Sequence, residues 1–516
     1  MNYQTPILLD SEINDLEESI NKFIANEISA IELKHHTAPF GIYEQKNQKF
    51  MVRIRCTAGI ISPLQFKTVA LISQEFAGKE FHITTRQQLQ IHDVPPENII
   101  IILKKLKEIK LAFRGGGGNT LRNVIASPNS GISVNEVFDV SPHALAISNK
   151  LIIEESSFKL PRKFKIAFAN SNDDNVFARC TDLGFIAVKK DGQKGFKVYV
   201  AGGMGRKPQS GNILHNFIPE EEIYLIAKAI KMLFYKYGNR ENRNQARIRF
   251  LWNSLGKEKF IELYNEELAN VKNTNSEKLI LSEIRNYSNE NISLNEKNPS
   301  SEDFELWKKR YVHIQNNPGL FSVDIPFLFG NIKNDDAVAL ADLISCFGDN
   351  TIRFTLNQNI MLINIPGKFL GNIYVITKKI SHLALMPRLI GNCIACTGAA
   401  VCKIGIAQPR KLLETLAARL EKINLPLDEF PDMKIYLSGC TNSCGQHHVA
   451  DLGFAGKIKR VNDEKNFYYT VFENAEVKND LLYLAKETNE IHEEKVVDYI
   501  VEYLNKVSGV RVQVSV

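Results

Sequence analysis

The chain has 516 residues, 44% of them hydrophobic and 24% charged, and its 64 basic and 58 acidic side chains leave a net charge of +6. These are ordinary globular values and exclude wholesale disorder, a collagen-like chain and a disulfide scaffold. The charge is too small to imply nucleic acid but favours an anionic ligand or an acidic partner. No apolar run approaches the roughly 18 residues of a membrane span, and the start MNYQTPILLDSEINDLEESI shows no secretory signal, so a cytoplasmic chain away from the membrane is expected.

In chain order, residues 50–56 (FMVRIRC) alternate as a strand, a helix is expected after Ser62-Pro63, and residues 82–94 (HITTRQQLQIHDV) alternate as another strand. One face of that strand carries His82, Thr84, Arg86, Gln88 and Gln90, a set that suits either solvent or a cavity holding something large and anionic. FRGGGGNTLRNVIA (113–126) lets a backbone pass close to a flat ligand, or simply turn, and it lacks the Walker A pattern. In LPRKFKIAF (160–168) an extended chain puts Lys163 and Lys165 on one side, either at the surface or around an anion. VYVAGGMGRKP (198–208) lacks the GxGxxG spacing, so a Rossmann site is rejected. Residues 220–237 read as an amphipathic helix, 257–316 as a polar connector with two helical stretches, and 409–423 and 493–505 as further amphipathic helices.

The chain contains a repeat. Shifted by 271 residues, 50–95 falls on 321–366 without a gap, both copies reading strand, helix, strand. Copy one carries Arg53, Arg55, His82, Arg86 and His92 where copy two has Asp324, Pro326, Arg353, Asn357 and Ile363.

Of eight cysteines, Cys393, Cys396, Cys402, Cys440 and Cys444 fall within 52 residues, while Cys56, Cys180 and Cys346 sit among apolar residues and read as buried structural thiols. In a reducing compartment such a cluster reads as metal-binding or catalytic. Cys396-x5-Cys402 followed after 37 residues by Cys440-x3-Cys444 is unusual for zinc. It suits a [4Fe–4S] cube, in which each iron takes one thiolate. Cys393 and Cys396 also form a Cys-x2-Cys pair, without the βαβ surroundings of a thioredoxin-like site.

CTGAAVC (396–402) followed by GCTNSCG (439–445), with TTRQ, LRNV and LPRKFK upstream in that order, resembles the sirohaem and [4Fe–4S] sulfite/nitrite reductases, over about residues 40 to 500. The resemblance implies an α+β fold with pseudo-twofold symmetry: an N-terminal extension (1–45), a first ferredoxin-like half (46–110), a first and larger α/β sirohaem-binding half (111–256), a linker (257–316), a second ferredoxin-like half (317–384) and a second sirohaem/[4Fe–4S]-binding half (385–516). It also implies that Cys396, Cys402, Cys440 and Cys444 hold the cluster, that Cys444 bridges to the sirohaem iron, and that Cys393 is a neighbour. Arg53, Arg122, Lys163 and Lys165 would surround the substrate anion. His82, Thr84, Arg86, Gln90, His92, Asn123, Gln358, Asn359 and Asn442 would contact the sirohaem, whose carboxylates call for a polar, basic cavity.

The activity expected from the resemblance is assimilatory six-electron reduction of sulfite to sulfide, with nitrite to ammonia as the alternative. Lys165 favours sulfite, because nitrite reducers of the family often have Asn there, whereas the CTGAAVC context is at least as close to the nitrite type. No flavin or nicotinamide domain is visible, so electrons are expected from a ferredoxin or a separate flavoprotein. Two readings from other classes are a precorrin-3B synthase-like enzyme and a non-enzymatic iron–sulfur or zinc protein.

Overall fold

The computed structural model describes residues 9–274, 279–281, 284, 292–461 and 464–509. The extension before the first repeat is helical: α1 (Leu9–Ile24) and α2 (Ala30–Thr37) precede β1 (Ile42–Glu44). Copy one continues with β2 (Phe50–Ile54), β3 (Ile60–Ile61), α3 (Pro63–Phe76), β4 (Glu80–Ile83), β5 (Leu89–Val94) and α4 (Ile99–Glu108). Ser62 starts α3 because its hydroxyl accepts the Gln65 N–H while the Gln65 side chain accepts the Ser62 N–H, and Pro63 has no N–H to leave unpaired.

The first larger half follows with β6 (Ile125–Ala126), α5 (Ser141–Ile152), β7 (Ile166–Ala169), β8 (Leu183–Lys190), β9 (Gln193–Val200), β10 (Asn212–Pro219), α6 (Ile223–Tyr237) and α7 (Ile248–Thr274). Helix α7 runs well into the stretch read as a connector; residues 275–278, 282–283 and 285–291 of that stretch lie outside the described residues. After α8 (Glu302–Tyr311), copy two has β11 (Val312–Ile314), β12 (Leu320–Ile325), β13 (Asn331–Lys333), α9 (Asn334–Ile344), β14 (Ile352–Phe354), β15 (Ile360–Pro366) and α10 (Leu370–Ile380). The second larger half comprises α11 (Arg388–Gly391), β16 (Ile394–Ala395), α12 (Gly398–Val401), α13 (Pro409–Lys422), β17 (Ile435–Ser438), β18 (Leu452–Val461), β19 (Glu464–Glu473), β20 (Glu476–Lys478), β21 (Leu481–Tyr483), β22 (Lys486–His492) and α14 (Val496–Ser508).

The duplication is visible in the sheets. Copy one orders its strands β1-β2-β5-β4 and copy two β11-β12-β15-β14, and each sheet takes its fifth strand from the other copy: β13 pairs with β4, and β3 with β14. The exchange is sealed by two related glutamines. Gln87 Nε2 donates to Phe354 O at 2.9 Å, and Gln358 Nε2 donates to Ile83 O at 3.0 Å. Gly59 and Gly330 sit at the crossings with φ of +70° and +71°, where an added Cβ would stand 2.5 Å from Phe354 O and Ile83 O respectively. The larger halves repeat as β6-β7-β8-β9-β10 and β16-β17-β18-β19-β22, the first three strands of each parallel and the rest antiparallel.

One reading needs correction. Residues 82–94 are not a single strand but a hairpin, β4 and β5 pairing antiparallel with His82 opposite Gln90. Gln87 takes φ +56°, which breaks the run, and Thr84 Oγ1 accepts the Arg86 and Gln88 N–H groups across the turn. The assignment of Arg86 and Gln90 to one strand face therefore fails; Arg86 sits in the turn, beside the larger half.

Candidate functional site

Arg53 lies on β2 directly opposite Gln90 of β5. With the Gln90 amide turned so that its oxygen faces Arg53, that oxygen accepts from Nη2 at 2.7 Å and Nε at 2.9 Å. Arg53 Nη1 also donates to Gly116 O at 2.8 Å, within the four-glycine loop. The glycines are needed for that approach: a Cβ at Gly117 would stand 2.3 Å from Ala38 O and from the Tyr43 hydroxyl. Arg122 reaches the same loop, donating to Gly116 O at 3.3 Å and Gly118 O at 3.0 Å. Lys163 and Lys165 flank Phe164, which bridges in parallel to Leu121 just before β7. Arg86 Nη2 donates to Asn123 O at 2.7 Å, and Asn123 Nδ2 returns to Arg86 O at 3.0 Å.

The cysteines come from the carboxyl ends of parallel strands, Cys396 after β16 and Cys440 after β17. Their loops are pinned to copy one: Lys46 Nζ donates to Ala399 O, Lys403 pairs with Glu44 at 2.7 Å, and Gln446 Nε2 donates to Thr85 O at 3.3 Å in the hairpin turn. Gly439 N donates to Cys396 Sγ at 3.1 Å. The Cys444 thiol interacts electrostatically with Cys440, Cys402 and Cys396, and with Arg53, Lys163 and Lys165. The Cys444 side chain is exposed; desolvation by the groups around its thiol pushes it up, and the two lysines pull it back towards thiolate. So the structure brings Arg53, Lys163 and Lys165 close to the cysteines that the resemblance implies as cluster ligands.

His82 and His92 border a cavity of about 250 Å³ with Arg410 and with Thr397 of the cysteine loop. Burial, reinforced by Arg410, lowers both histidines, His92 to about 4, so both are neutral near pH 7. Thr84 is committed to the turn. Asn442 is exposed, with its backbone oxygen facing Gly205. Gln358 and Asn359 are buried in backbone contacts, the first across the copies and the second to Gly391 O at 2.8 Å. Cys393 is a buried thiol beneath the loop, donating to Leu389 O. Cys56 and Cys180 are buried with thiols pushed up to about 12; Cys346 is only half-buried.

The electrostatics call for an anion. Burial, then neighbouring cations, disfavours charge on Arg86, Lys163 and Lys165, holding Lys163 at about 7. A guanidinium does not give up its proton, and an unpaired buried ion is unfavourable by several kcal/mol. Buried atoms without a partner among the described residues include Arg86 Nε, Arg122 Nε, Arg249 Nη1, Arg410 Nε, Gln88 Nε2 and Ser443 Oγ. These orphans fit a large polyanionic group. A cube would take one thiolate at each iron, and the four thiols of the motif supply that number and type of ligand.

The first larger half supplies an internal comparison. Ser127, Ser133, Ser171 and Asn175 precede Cys396, Cys402, Cys440 and Cys444 by 269 residues each. The frame is the same: Asn170 N donates to Ser127 Oγ at 3.1 Å as Gly439 N does to Cys396 Sγ, and Ser133 N and Cys402 N bond Asn129 O and Gly398 O at 3.1 and 2.9 Å. There Ser127 Oγ and Asn175 Oδ1 meet at 2.6 Å and close the space. The fold makes the frame twice, and only the second copy carries thiols at these four positions.

Arg247, Arg249 and Arg410 were not singled out from sequence. RNQARIRF (243–250) reads locally as an ordinary basic helix start, and only the alternation of Arg247 with Arg249 hints at a shared direction.

Known proteins resemble this chain both in sequence and in structure. The family model "Nitrite/Sulfite reductase ferredoxin-like half domain" matches residues 43–109 and 313–375, and "Nitrite and sulphite reductase 4Fe-4S domain" matches 117–272; together they span more than half of the chain. The chain is 27% identical over 438 residues to an assimilatory ferredoxin-dependent nitrite reductase of Haloferax mediterranei (81% of this chain, 72% of that protein). It is 27% identical over 477 residues to sulfite reductase [ferredoxin] 1 of Mycolicibacterium paratuberculosis (87% and 81%), and 28% over 424 residues to a ferredoxin–nitrite reductase of Synechococcus elongatus (80% and 77%). In structure it is similar to the Mycobacterium tuberculosis NirA protein, with a TM-score of 0.81, 24% identity and coverage of 99% of this chain and 95% of that one.

Proposed function

Because this chain belongs to the sirohaem and [4Fe–4S] nitrite and sulfite reductase family, we propose that it reduces sulfite to sulfide in an assimilatory role. The observation that carries the choice is Lys165: a second half-buried lysine beside Lys163, with no ion-pair partner for its ammonium among the described residues, suits a dianion better than a monoanion. Nitrite is the second reading, favoured by relatives of that name at equal identity.

Cys396, Cys402, Cys440 and Cys444 are assigned to the cluster, Cys444 also to the sirohaem iron. Arg86, His82, His92, Gln90, Thr84 and Asn123, with Asn442, Gln358 and Asn359, are assigned to the sirohaem wall. Thr84, Gln358 and Asn359 serve there by holding the backbone that carries the others. When bound, the coupled pair supplies electrons singly and the macrocycle performs the bond-breaking chemistry.

The protein's part is electrostatic. Arg53, Arg122, Lys163 and Lys165 hold the anion and offset the charge that builds up as six electrons and six protons convert sulfite to sulfide and three waters. Lys163 Nζ, held near 7 by burial and Arg247, is poised to hand on a proton. The donor is taken to be a ferredoxin, as named for the relatives, with a separate flavoprotein as the other source. The test is methyl-viologen-driven turnover of the purified coloured protein with sulfite against nitrite. Sulfite turnover with the higher kcat/KM supports the proposal; preference for nitrite moves the assignment to the second reading. A preparation with cluster absorbance but no chlorin-like red band would remove both.

A further inference from the structure

A buried carboxylate stands behind the cationic wall. Asp182 is fully buried at the start of β8, and its Oδ2 accepts the backbone N–H of Lys165 at 2.9 Å. Arg247, one residue before α7, grips the same carboxylate: Nη2 lies 2.8 Å from both oxygens and Nε 3.1 Å from Oδ1.

The duplicated half separates fold from function. There Asp451 Oδ2 accepts the N–H of Lys434 at 2.7 Å, the same clamp 269 residues later. Among the described residues no arginine or lysine pairs with Asp451, as Arg247 does with Asp182. The carboxylate clamp is thus a feature of the duplicated sheet, and among the described residues the arginine grips it only in the half that carries the cations. Arg247 also faces Lys163, Lys165, Arg122, Arg86 and Arg249 closely enough to disfavour their charge. Adding a cation to such a crowd destabilises the empty protein, and an occupying anion offsets it.

We infer that Asp182 and Arg247 form a positioning pair for anion reduction, in which Asp182 holds Lys165 at the substrate and Arg247 locks Asp182 while adding charge that draws the anion in. This rests on the reduction proposed above. The bidentate grip matters because a guanidinium spans both carboxylate oxygens while an ammonium meets them as a point charge. Displacement of Lys165 by even about 1 Å carries a large rate penalty.

The pair separates two kinetic effects. In the cofactor-loaded enzyme, Arg247→Lys keeps the charge and loses the fork, so kcat should fall on the order of tenfold with KM within about threefold of wild type. Arg247→Met loses both, so KM should also rise on the order of tenfold. Asp182→Asn keeps one acceptor for the Lys165 N–H but turns an amide towards Arg247, and should resemble Arg247→Lys. Thermal midpoint and visible absorbance per chain are recorded alongside. Unchanged kcat and KM per loaded site, with only the midpoint or the cofactor content altered, would overturn the inference. A wild-type enzyme that is fully loaded yet reduces neither anion removes the underlying reading, and this inference with it.

Discussion

Under the proposed reaction, Lys165 separates a dianion from a monoanion. Lys165→Asn removes one half-buried cation from a group that includes Arg53, Arg122 and Lys163, and sulfite should lose more from this than nitrite. The expected result is a fall in kcat/KM for sulfite on the order of tenfold relative to nitrite, read from parallel assays; improvement of sulfite relative to nitrite would contradict the role of Lys165. Glu136 gives a second test, away from the site. Burial raises its carboxyl from the usual 4.5 to about 7, with the Gly131 N–H and Asn170 amide only partly offsetting this. A raised folded-state value means that folding takes up a proton, so this contribution to stability is full below about 4.5 and is lost as pH rises through about 7. Glu136→Gln should remove that dependence and make the protein more stable than wild type at pH 8 by about 1 kcal/mol, discounted for partial exposure, as read by denaturant midpoints at pH 5 and 8. At this level the cysteine motif was legible because its spacing is local. Arg247 was not, because its meaning lies in Asp182, 65 residues earlier.

Among the strands and turns, a strand within 50–56 (Phe50–Ile54) and the Ser62-Pro63 helix start read true, since strand propensity and capping are set by neighbours, although four of the five strand residues are buried and the expected alternation is not kept. Reading 82–94 as one strand failed because Gln87 adopts a left-handed turn that its side chain makes worthwhile, donating to Ala126 O at 2.8 Å and to Phe354 O in the other copy. That benefit is tertiary and invisible to periodicity. The related crossings at Gly59 and Gly330 should fail alike. Gly59→Ala and Gly330→Ala each force a side chain into a positive φ and within 2.5 Å of a carbonyl oxygen. Each should destabilise by about 2–4 kcal/mol through strain and overlap, measured by urea denaturation. Losses below about 0.5 kcal/mol would show that the exchanged strands yield more easily than their packing implies.

For the molecule as a whole, exchange of β3 and β13 makes each ferredoxin-like sheet incomplete without the other copy. The main core accordingly draws on residues of both copies from Ile13 to Ile380, while the second larger half has its own cluster from Leu383 to Leu504. A fragment ending at Thr274 should therefore not fold alone, and co-expression with residues 292–516 should restore a complex that purifies together. An independently folded monomer of the first fragment, with a cooperative melt, would contradict this dependence. The sequence by itself determined the duplication, the cysteine motif and the basic side chains, because repeats, spacing and charge survive in one dimension. Only the tertiary structure decided that Arg53, Lys163 and Lys165 face Cys444, that Gln87 and Gln358 bind the copies together, and that Arg247 braces Asp182. Each of these joins residues distant in the chain, and their proximity follows from sheet pairing and burial rather than from local pattern.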